Sequence, residues 1–370
     1  MLNNSGAKSV MTPALFVNPN LGKQENPNEN ATSEVLKHIL NENATSEVLK
    51  HILNENATSV EWMFTLIPPY ISIISALGFV LNVFVLLVFC LHKKPYTVAE
   101  IYLCNLAAAD LFLTCFLPLW AVNVYNKFQW TLGKEFCKAF YVGIFMNAYC
   151  SIYFLALVSV DRYFALVHPL SHETLRTPFH ARISCLVVWI LGFLLSIPSL
   201  IYRDVKPDQG CSLYYQNSTV PILIESKIFI FSFIIPIIII SLCTISILRA
   251  LSKRSKRVNV NKSENKTTIL ILSVLLAFLI CWIPYFLTQI LDVFHENKIL
   301  TEGTYGLEIC KQIFPCLAVF NSVLNPCLYV LVGKRFRRKV KELFSQQNEK
   351  RSAITGFVST RTYLTTSVRT

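Results

Sequence analysis

Charge is scarce in this chain of 370 residues: Asp, Glu, Lys and Arg make up 15% while 53% of the residues are hydrophobic. Ordinary soluble domains carry about 25% charged residues. The scarcity excludes a soluble globular protein, because so much apolar surface must face lipid. The alternation of apolar and polar residues that marks barrel strands is also missing, which excludes a β-barrel. No nucleophile and base constellation suggests an enzyme, and no inverted repeat or interrupted half-helix points to a transporter or channel. Near Met1 there is no charged-then-apolar leader, so we expect no signal peptide and a translocated N-terminus.

What is there is a series of long apolar runs. A bilayer core about 30 Å thick needs roughly 20 apolar residues per helix at about 1.5 Å rise each. Seven segments qualify: Leu66–Leu91, Val98–Val124, Glu135–Val167, Ile183–Ile201, Glu225–Leu251, Thr267–Phe294 and Tyr305–Val332. The expected fold is all-α, a seven-transmembrane helix bundle followed by a short amphipathic cytoplasmic helix. We divide the chain into a tail at 1–65, the bundle at 66–332, the amphipathic helix at 333–344 and a regulatory tail at 345–370. The net charge of +12 gathers in alternate loops, at Lys93 and Lys94, at Arg249, Lys253, Arg254, Lys256, Arg257, Lys262 and Lys266, and at Lys334, Arg335, Arg337, Arg338, Lys339 and Lys341. By the positive-inside rule these loops are cytoplasmic. The basic balance therefore reports topology and contact with membrane lipid, with no nucleic-acid partner implied.

The N-terminal tail contains a tandem repeat. Asn28–Leu40 reads NENATSEVLKHIL, Asn41–Leu53 repeats it identically, and Asn54–Ser59 begins a third copy. We read it as an unordered spacer with short helical stretches at Ser33–Leu40 and Ser46–Leu53, since so few apolar turns cannot offset the ordering entropy. Glycosylation sequons begin at Asn3, Asn30, Asn43, Asn56 and Asn217 on the outer side. Asn261 and Asn265 fit the same pattern in a cytoplasmic loop, where it is chance. Ten of the twelve cysteines lie deeper in the apolar segments, where thiols are inert packing groups. The other two are Cys137, at the outer end of the third segment, and Cys211, in the second outer loop; both face an oxidising compartment, and a disulfide between them is expected.

Ionisable groups inside a membrane are costly and point to function. Asp110 stands mid-way along the second segment, with Asn82, Asn147, Ser151, Asn321, Ser322 and Asn325 at comparable depth. A carboxylate ringed by hydroxyls and amides can hold a hard monovalent cation or a proton, or can form a packing cluster. Asp161-Arg162-Tyr163 ends the third segment. An arginine there can pair with its neighbour in one conformation and with a partner protein in another, or simply reach for headgroups. Proline kinks are expected at Pro284 in Cys281-Trp282-Ile283-Pro284 and at Pro326 in Asn325-Pro326-Cys327-Leu328-Tyr329.

Asn82, Asp110, Cys137, Asp161-Arg162-Tyr163, Trp189, Pro236, the Trp282 motif and the Asn325 motif fall one set per segment, in order. The series resembles rhodopsin-like G protein-coupled receptors from Pro68 to Phe344. The resemblance implies a plasma-membrane receptor with its N-terminus outside, coupled to a heterotrimeric G protein. It implies an allosteric sodium site at Asp110, Asn147, Ser151, Asn321 and Ser322, with Trp282 beside it. It also implies an activation switch made of Trp282, Asp161, Arg162, Tyr163, Asn325, Pro326 and Tyr329. Thr244 departs from the tyrosine that many members carry, which shifts weight to Tyr329. Ile144 stands where amine receptors have aspartate and Val319 where opsins have the retinal lysine, so those ligands are disfavoured.

Several stretches resemble the bradykinin receptors, among them FVLLVFCLHKKPYTVAEIYLCNLAAADL, LPLWAVNVYNKFQW, VSVDRYFALVHPLS, LLSIPSLIYRDV and VGKRFRRKVKELF. That likeness implies an arginine-containing peptide hormone as ligand. It implies Asp292, Glu308 and Glu225 as acids for the peptide's charged ends, and Trp120, Phe145, Tyr285 and Gln289 as the deeper pocket. Phe145 stands where the subtype for kinins lacking the final arginine has a lysine, which favours the full-length peptide. The implied partners also include the Gq family, receptor kinases and arrestin, the last two acting on Ser359, Thr360, Thr365, Thr366 and Ser367. An angiotensin or chemokine-like ligand is the alternative, although the tail lacks the cysteine that chemokine receptors pair with their third outer loop. The tail beyond Cys327 has no cysteine for palmitoylation, which leaves anchoring to the amphipathic helix.

Overall fold

The computed structural model describes residues 43–92, 95–168, 177–206, 210–214, 227, 230–255, 273–274, 276–288, 290–291, 304–331, 333 and 336–346. The helices are α1 (Asn43–Leu91), α2 (Val98–Tyr125), α3 (Lys134–Val167), α4 (Pro178–Tyr202), α5 (Ile235–Ser255), α6 (Leu276–Thr288), α7 (Thr304–Leu331) and α8 (336–346). Six of them are long and apolar enough to cross a membrane, and α6 is apolar over its shorter described stretch. The result is the all-α seven-helix bundle expected from the sequence, with α8 beyond it. Over the described residues α1 starts at Asn43, so the second repeat copy is helical from Asn43 to Leu53 rather than only over Ser46–Leu53.

Local chemistry starts each helix where the sequence breaks. Thr97 and Glu100 form a capping box on α2: the Glu100 N–H donates to Thr97 Oγ1 at 3.4 Å and the Thr97 N–H to Glu100 Oε2 at 2.9 Å. Thr177 caps α4 by accepting from the His180 N–H at 3.2 Å, and Pro178 fills the first turn, where its missing N–H costs nothing. After α2 the chain passes through Lys127 and Phe128 at φ 51° and 63°, and Gly133 at φ 84° precedes α3. Trp130 Nε1 donates to the Gly133 carbonyl at 2.8 Å and fixes that turn.

α3 is the centre of the bundle: 78% of its most apolar window is buried, against 28% for α4. It packs on α2, α4 and α5, while α7 packs on α1 and α2. Gly192 lets α4 approach closely, since a Cβ there would meet Cys150 Sγ at 2.6 Å. Trp189 Nε1 donates to Asn105 Oδ1 at 2.9 Å and ties α4 to α2. The outward faces carry exposed Leu, Ile, Val and Phe, such as Ile183, Leu186, Val187 and Ile190 on α4. In water this would be an aggregation surface; in lipid it is the solvated one.

Candidate functional site

Four groups of residues lie along the bundle axis. At one end, Cys137 of α3 is disulfide-bonded to Cys211, with Cα atoms 5.8 Å apart. Cys211 belongs to strand β2 (Gly210–Leu213), which pairs antiparallel with β1 (Arg203–Lys206) in the register Val205 to Cys211. The bridge thus holds a hairpin over the end of α3. Arg203 is buried there, its guanidinium 3.0 Å from the centre of the Tyr141 ring and its Nη1 donating to the Cys211 carbonyl at 3.3 Å. Lys134 Nζ donates to Asp204 Oδ2 at 3.0 Å. That bond, helped by the Val205 N–H, holds the Asp204 carboxyl below the usual carboxylate range.

Below the hairpin, Trp120, Phe145 and Tyr285 are all buried. Tyr285 meets the Trp282 ring edge-on at 5.8 Å, and Trp282 stacks between Phe278 at 5.6 Å and Phe286 at 5.9 Å. Phe286 in turn lies 4.4 Å from Phe233, on the π-helical turn at Ile230–Ile234 before α5. Tyr153 of α3 donates to the Phe231 carbonyl of that turn at 2.9 Å. An unbroken run of rings therefore links the pocket side of α6 to α5. Asp292, Glu225 and Gln289 lie outside the described residues, as does the side chain of Glu308 on α7; the sequons at Asn3, Asn30 and Asn217 and the side chains of Asn43 and Asn56 do so as well.

At mid-depth Asp110 is 1% exposed, and three helices converge on it. Asn325 Nδ2 of α7 donates to Asp110 Oδ2 at 2.8 Å, and Asn147 Nδ2 and Ser151 Oγ of α3 each donate to Oδ1 at 3.3 Å. Asn82 Nδ2 bridges α1 to α7 by donating to the Gly78 and Ser322 carbonyls at 2.8 and 3.0 Å. Asn321 Oδ1, Asn325 Oδ1 and the Tyr329 hydroxyl are buried without a hydrogen-bond partner in the protein. Burying a polar atom unpaired costs about 1–3 kcal/mol, so each of these atoms has bonding capacity to spare.

At the far end Arg162 Nη2 lies 3.2 Å from Asp161 Oδ2, both groups nearly buried. Tyr163 points away toward His168, with its hydroxyl 3.0 Å from Nε2. Two contacts here were not anticipated. Lys339 of α8 lies 3.0 Å from Glu100 Oε1 of α2, and His92 Nε2 lies 2.9 Å from Glu342 Oε2. Phe336 packs among Phe84, Phe89 and Tyr329. The signal was present in the alternation of basic and apolar residues in KRFRRKVKELF, but Lys339 reads there as one more topology charge.

A family profile described as "7 transmembrane receptor (rhodopsin family)" matches residues 81–329. The B2 bradykinin receptor of Homo sapiens is 40% identical over 293 residues, covering 76% of this chain and 75% of that one. The B2 bradykinin receptor of Rattus norvegicus is 39% identical over 294 residues, covering 77% and 74%. The B1 bradykinin receptor of Chlorocebus pygerythrus is 35% identical over 290 residues, covering 76% and 82%.

Proposed function

The chain belongs to the bradykinin receptors within the rhodopsin family of seven-transmembrane receptors, and on that premise we propose that it binds a full-length kinin and signals through the Gq family, phospholipase C and calcium. The observation that carries the ligand reading is the likeness to B2 receptors, 40% against 35% for B1, over 76% of the chain. The peptide enters at the disulfide end, which faces the cell exterior. Its arginines meet Asp292, Glu308 and Glu225, and its apolar residues fill the space among Trp120, Phe145, Tyr285 and Gln289.

Transmission follows from the ring contacts. A ligand that presses on Tyr285 displaces Trp282, and through Phe286 the contact with Phe233 and α5. α6 can bend here because Pro284 has no N–H to offer the Ile280 carbonyl. The α6 swing opens a cleft at the Arg162 end, where a G protein takes Arg162 from Asp161. The ligand drives this only as far as it binds the open state more tightly. Asp110 couples the same change to α7 through Asn325 and the neighbouring Pro326 and Tyr329.

Asp110, Asn147, Ser151, Asn321 and Ser322 suit a sodium ion: one buried carboxylate, hydroxyl and amide oxygens, and an Asn321 Oδ1 that has no protein donor. A bound ion would offset the Asp110 charge inside the membrane. Receptor kinases and arrestin act on the C-terminal serines and threonines, and glycans occupy the outer sequons at Asn3, Asn30, Asn43, Asn56 and Asn217.

The test is a calcium response in transfected cells challenged with bradykinin, its form lacking the last arginine, and angiotensin. Full-length bradykinin should act at the lowest dose. Silence to both kinins at micromolar dose refutes the ligand, and a calcium-free response through another G protein refutes the Gq reading. Replacing Asp292 and Glu308 by alanine should weaken bradykinin binding; unchanged affinity removes them from the site.

A further inference from the structure

Pro118 interrupts α2 eight residues beyond Asp110 and two before Trp120. It has no N–H for the Thr114 carbonyl four residues back, and its ring crowds that carbonyl, so the helix bends there. A backbone carbonyl left without a donor is costly in a membrane, because hydrocarbon offers no other. α1 supplies the donor: Ser75 Oγ, 7% exposed, donates to the Thr114 carbonyl at 2.8 Å. Gly78, three residues further along the same face of α1, makes room for the approach, since a Cβ there would meet Thr114 Cγ2 at 2.5 Å. Four residues beyond Gly78, Asn82 Nδ2 donates to the Ser322 carbonyl of α7 at 3.0 Å. One strip of α1 thus holds the bend of α2 and the middle of α7 together.

A bend swings everything beyond it, and what lies beyond Pro118 is the outer end of α2, with Trp120 buried on it. We propose that Ser75 is a positioning residue for the peptide pocket: its hydroxyl takes the carbonyl that Pro118 leaves without a donor, and so fixes the direction in which the outer turns of α2 carry Trp120. This rests on the peptide-receptor reading above and adds to it a residue of α1, a helix that contributes none of the pocket residues named there. Without the hydroxyl, the Thr114 carbonyl can be satisfied only by a change in α2 itself. It would draw the Leu117 N–H in a tighter 3₁₀ turn or the Leu119 N–H in a wider π turn. Each residue passed through a 3₁₀ turn adds about 20° of rotation relative to an α-helix, so either course turns Trp120 from its place. The ligand then binds only the fraction of receptor that keeps the original bend, and its apparent affinity falls by that fraction.

The experiment measures the affinity of fluorescent bradykinin on cells expressing the full-length receptor, with surface level read by an N-terminal epitope tag, for Ser75→Ala alone and in two backgrounds, Pro118→Ala and Trp120→Ala. Ser75→Ala alone should weaken binding about threefold to tenfold, the scale of one hydrogen bond, while Ser75→Thr, which keeps the hydroxyl, should stay near wild type. Pro118→Ala returns an N–H to the Thr114 carbonyl, so adding Ser75→Ala to it should cost less than about twofold. In Trp120→Ala the ring that Ser75 positions is gone, and the added loss should again stay under about twofold. Ser75→Cys, of similar size and with only a weak donor, supplies the same cycles if the alanine variant fails to reach the surface. The inference is overturned if Ser75→Ala and Ser75→Cys bind as the wild type does. It is overturned equally if their loss persists undiminished in the Pro118→Ala or Trp120→Ala background, the mark of a packing role alone. A wild type that does not bind bradykinin refutes the kinin reading itself, and the inference falls with it.

Discussion

Replacing Lys339 or Glu100 singly should release α8, while replacing both should not. The ammonium lies 3.0 Å from Glu100 Oε1, and the two side chains are 9% and 10% exposed. Phe89 and Tyr96 present their rings to the same ammonium at 5.5 and 5.6 Å. Glu100→Gln keeps an oxygen for the Thr97 N–H but leaves the cation with ring faces only, worth about 0.5–2 kcal/mol. Breaking one side of a buried pair costs about 3–5 kcal/mol. Lys339→Met falls near the lower figure, because Glu100 keeps its capping bond from Thr97. The double variant puts neutral groups of similar volume together, which is near neutral or stabilising. In hydrogen exchange on receptor in nanodiscs, a loss of about 3 kcal/mol in local opening lowers protection across 336–346 by about a hundredfold. The double variant should return to within about tenfold of wild type. Protection unchanged in Glu100→Gln, or a double variant as loose as the two singles combined, would refute the reasoning.

Three further outcomes follow from the other contacts. Cys137→Ser with Cys211→Ser opens a bridge of sequence separation 74; the chain-entropy cost is about 4 kcal/mol, and thermal inactivation of the purified receptor should occur earlier, with bradykinin affinity reduced. Asp110→Asn presents an amide to the donors of Asn147 and Asn325 and removes the buried charge, so exchanging sodium for choline in the buffer should shift peptide affinity in the wild type and leave the variant unmoved. Asp204, held below the usual carboxylate range by Lys134, adds stability that is fully present above the unfolded carboxylate value of about 3.9 and is lost as pH falls through the lower folded value. The wild type should therefore lose more hairpin protection than Asp204→Asn between pH 6 and roughly pH 3, and equal losses would remove the pair from the account.

Much of the bundle was legible because the membrane simplifies the code. Each apolar run ends where the chain must leave lipid, and α1 ending at Leu91 and α2 starting at Val98 follow from the run's end and from the Thr97 cap. The polar interior was equally plain: Asp110, Asn147, Ser151 and Asn325 are costly in hydrocarbon, so their convergence could be expected from depth alone. Hidden from the sequence were the charges that a membrane protein keeps for itself. Lys339 looks like one more positive-inside residue. Only packing tells a cation facing headgroups from one folded against a carboxylate, because Lys carries a long apolar stem that suits either.

The Lys339 pair closes a path from α7 to α2, and this bears on how the receptor transmits. α7 has Asn325 bonded to Asp110 and, one turn further on, Tyr329 against Phe336. α8 then returns through Lys339 to Glu100 at the start of α2, and α2 carries Asp110. The loop of contacts from α7 through α8 to α2 is closed, so α7 cannot shift along its axis without straining either the Asp110 hydrogen bonds or the Lys339 pair. The α8 pair is then a brake on α7 as well as an anchor: in Glu100→Gln, basal calcium signalling should rise while the fold of the other helices is kept, and in the Glu100→Gln, Lys339→Met double variant it should fall back. Basal activity unchanged in the single variant, with α8 demonstrably loosened, would sever α8 from the control of α7.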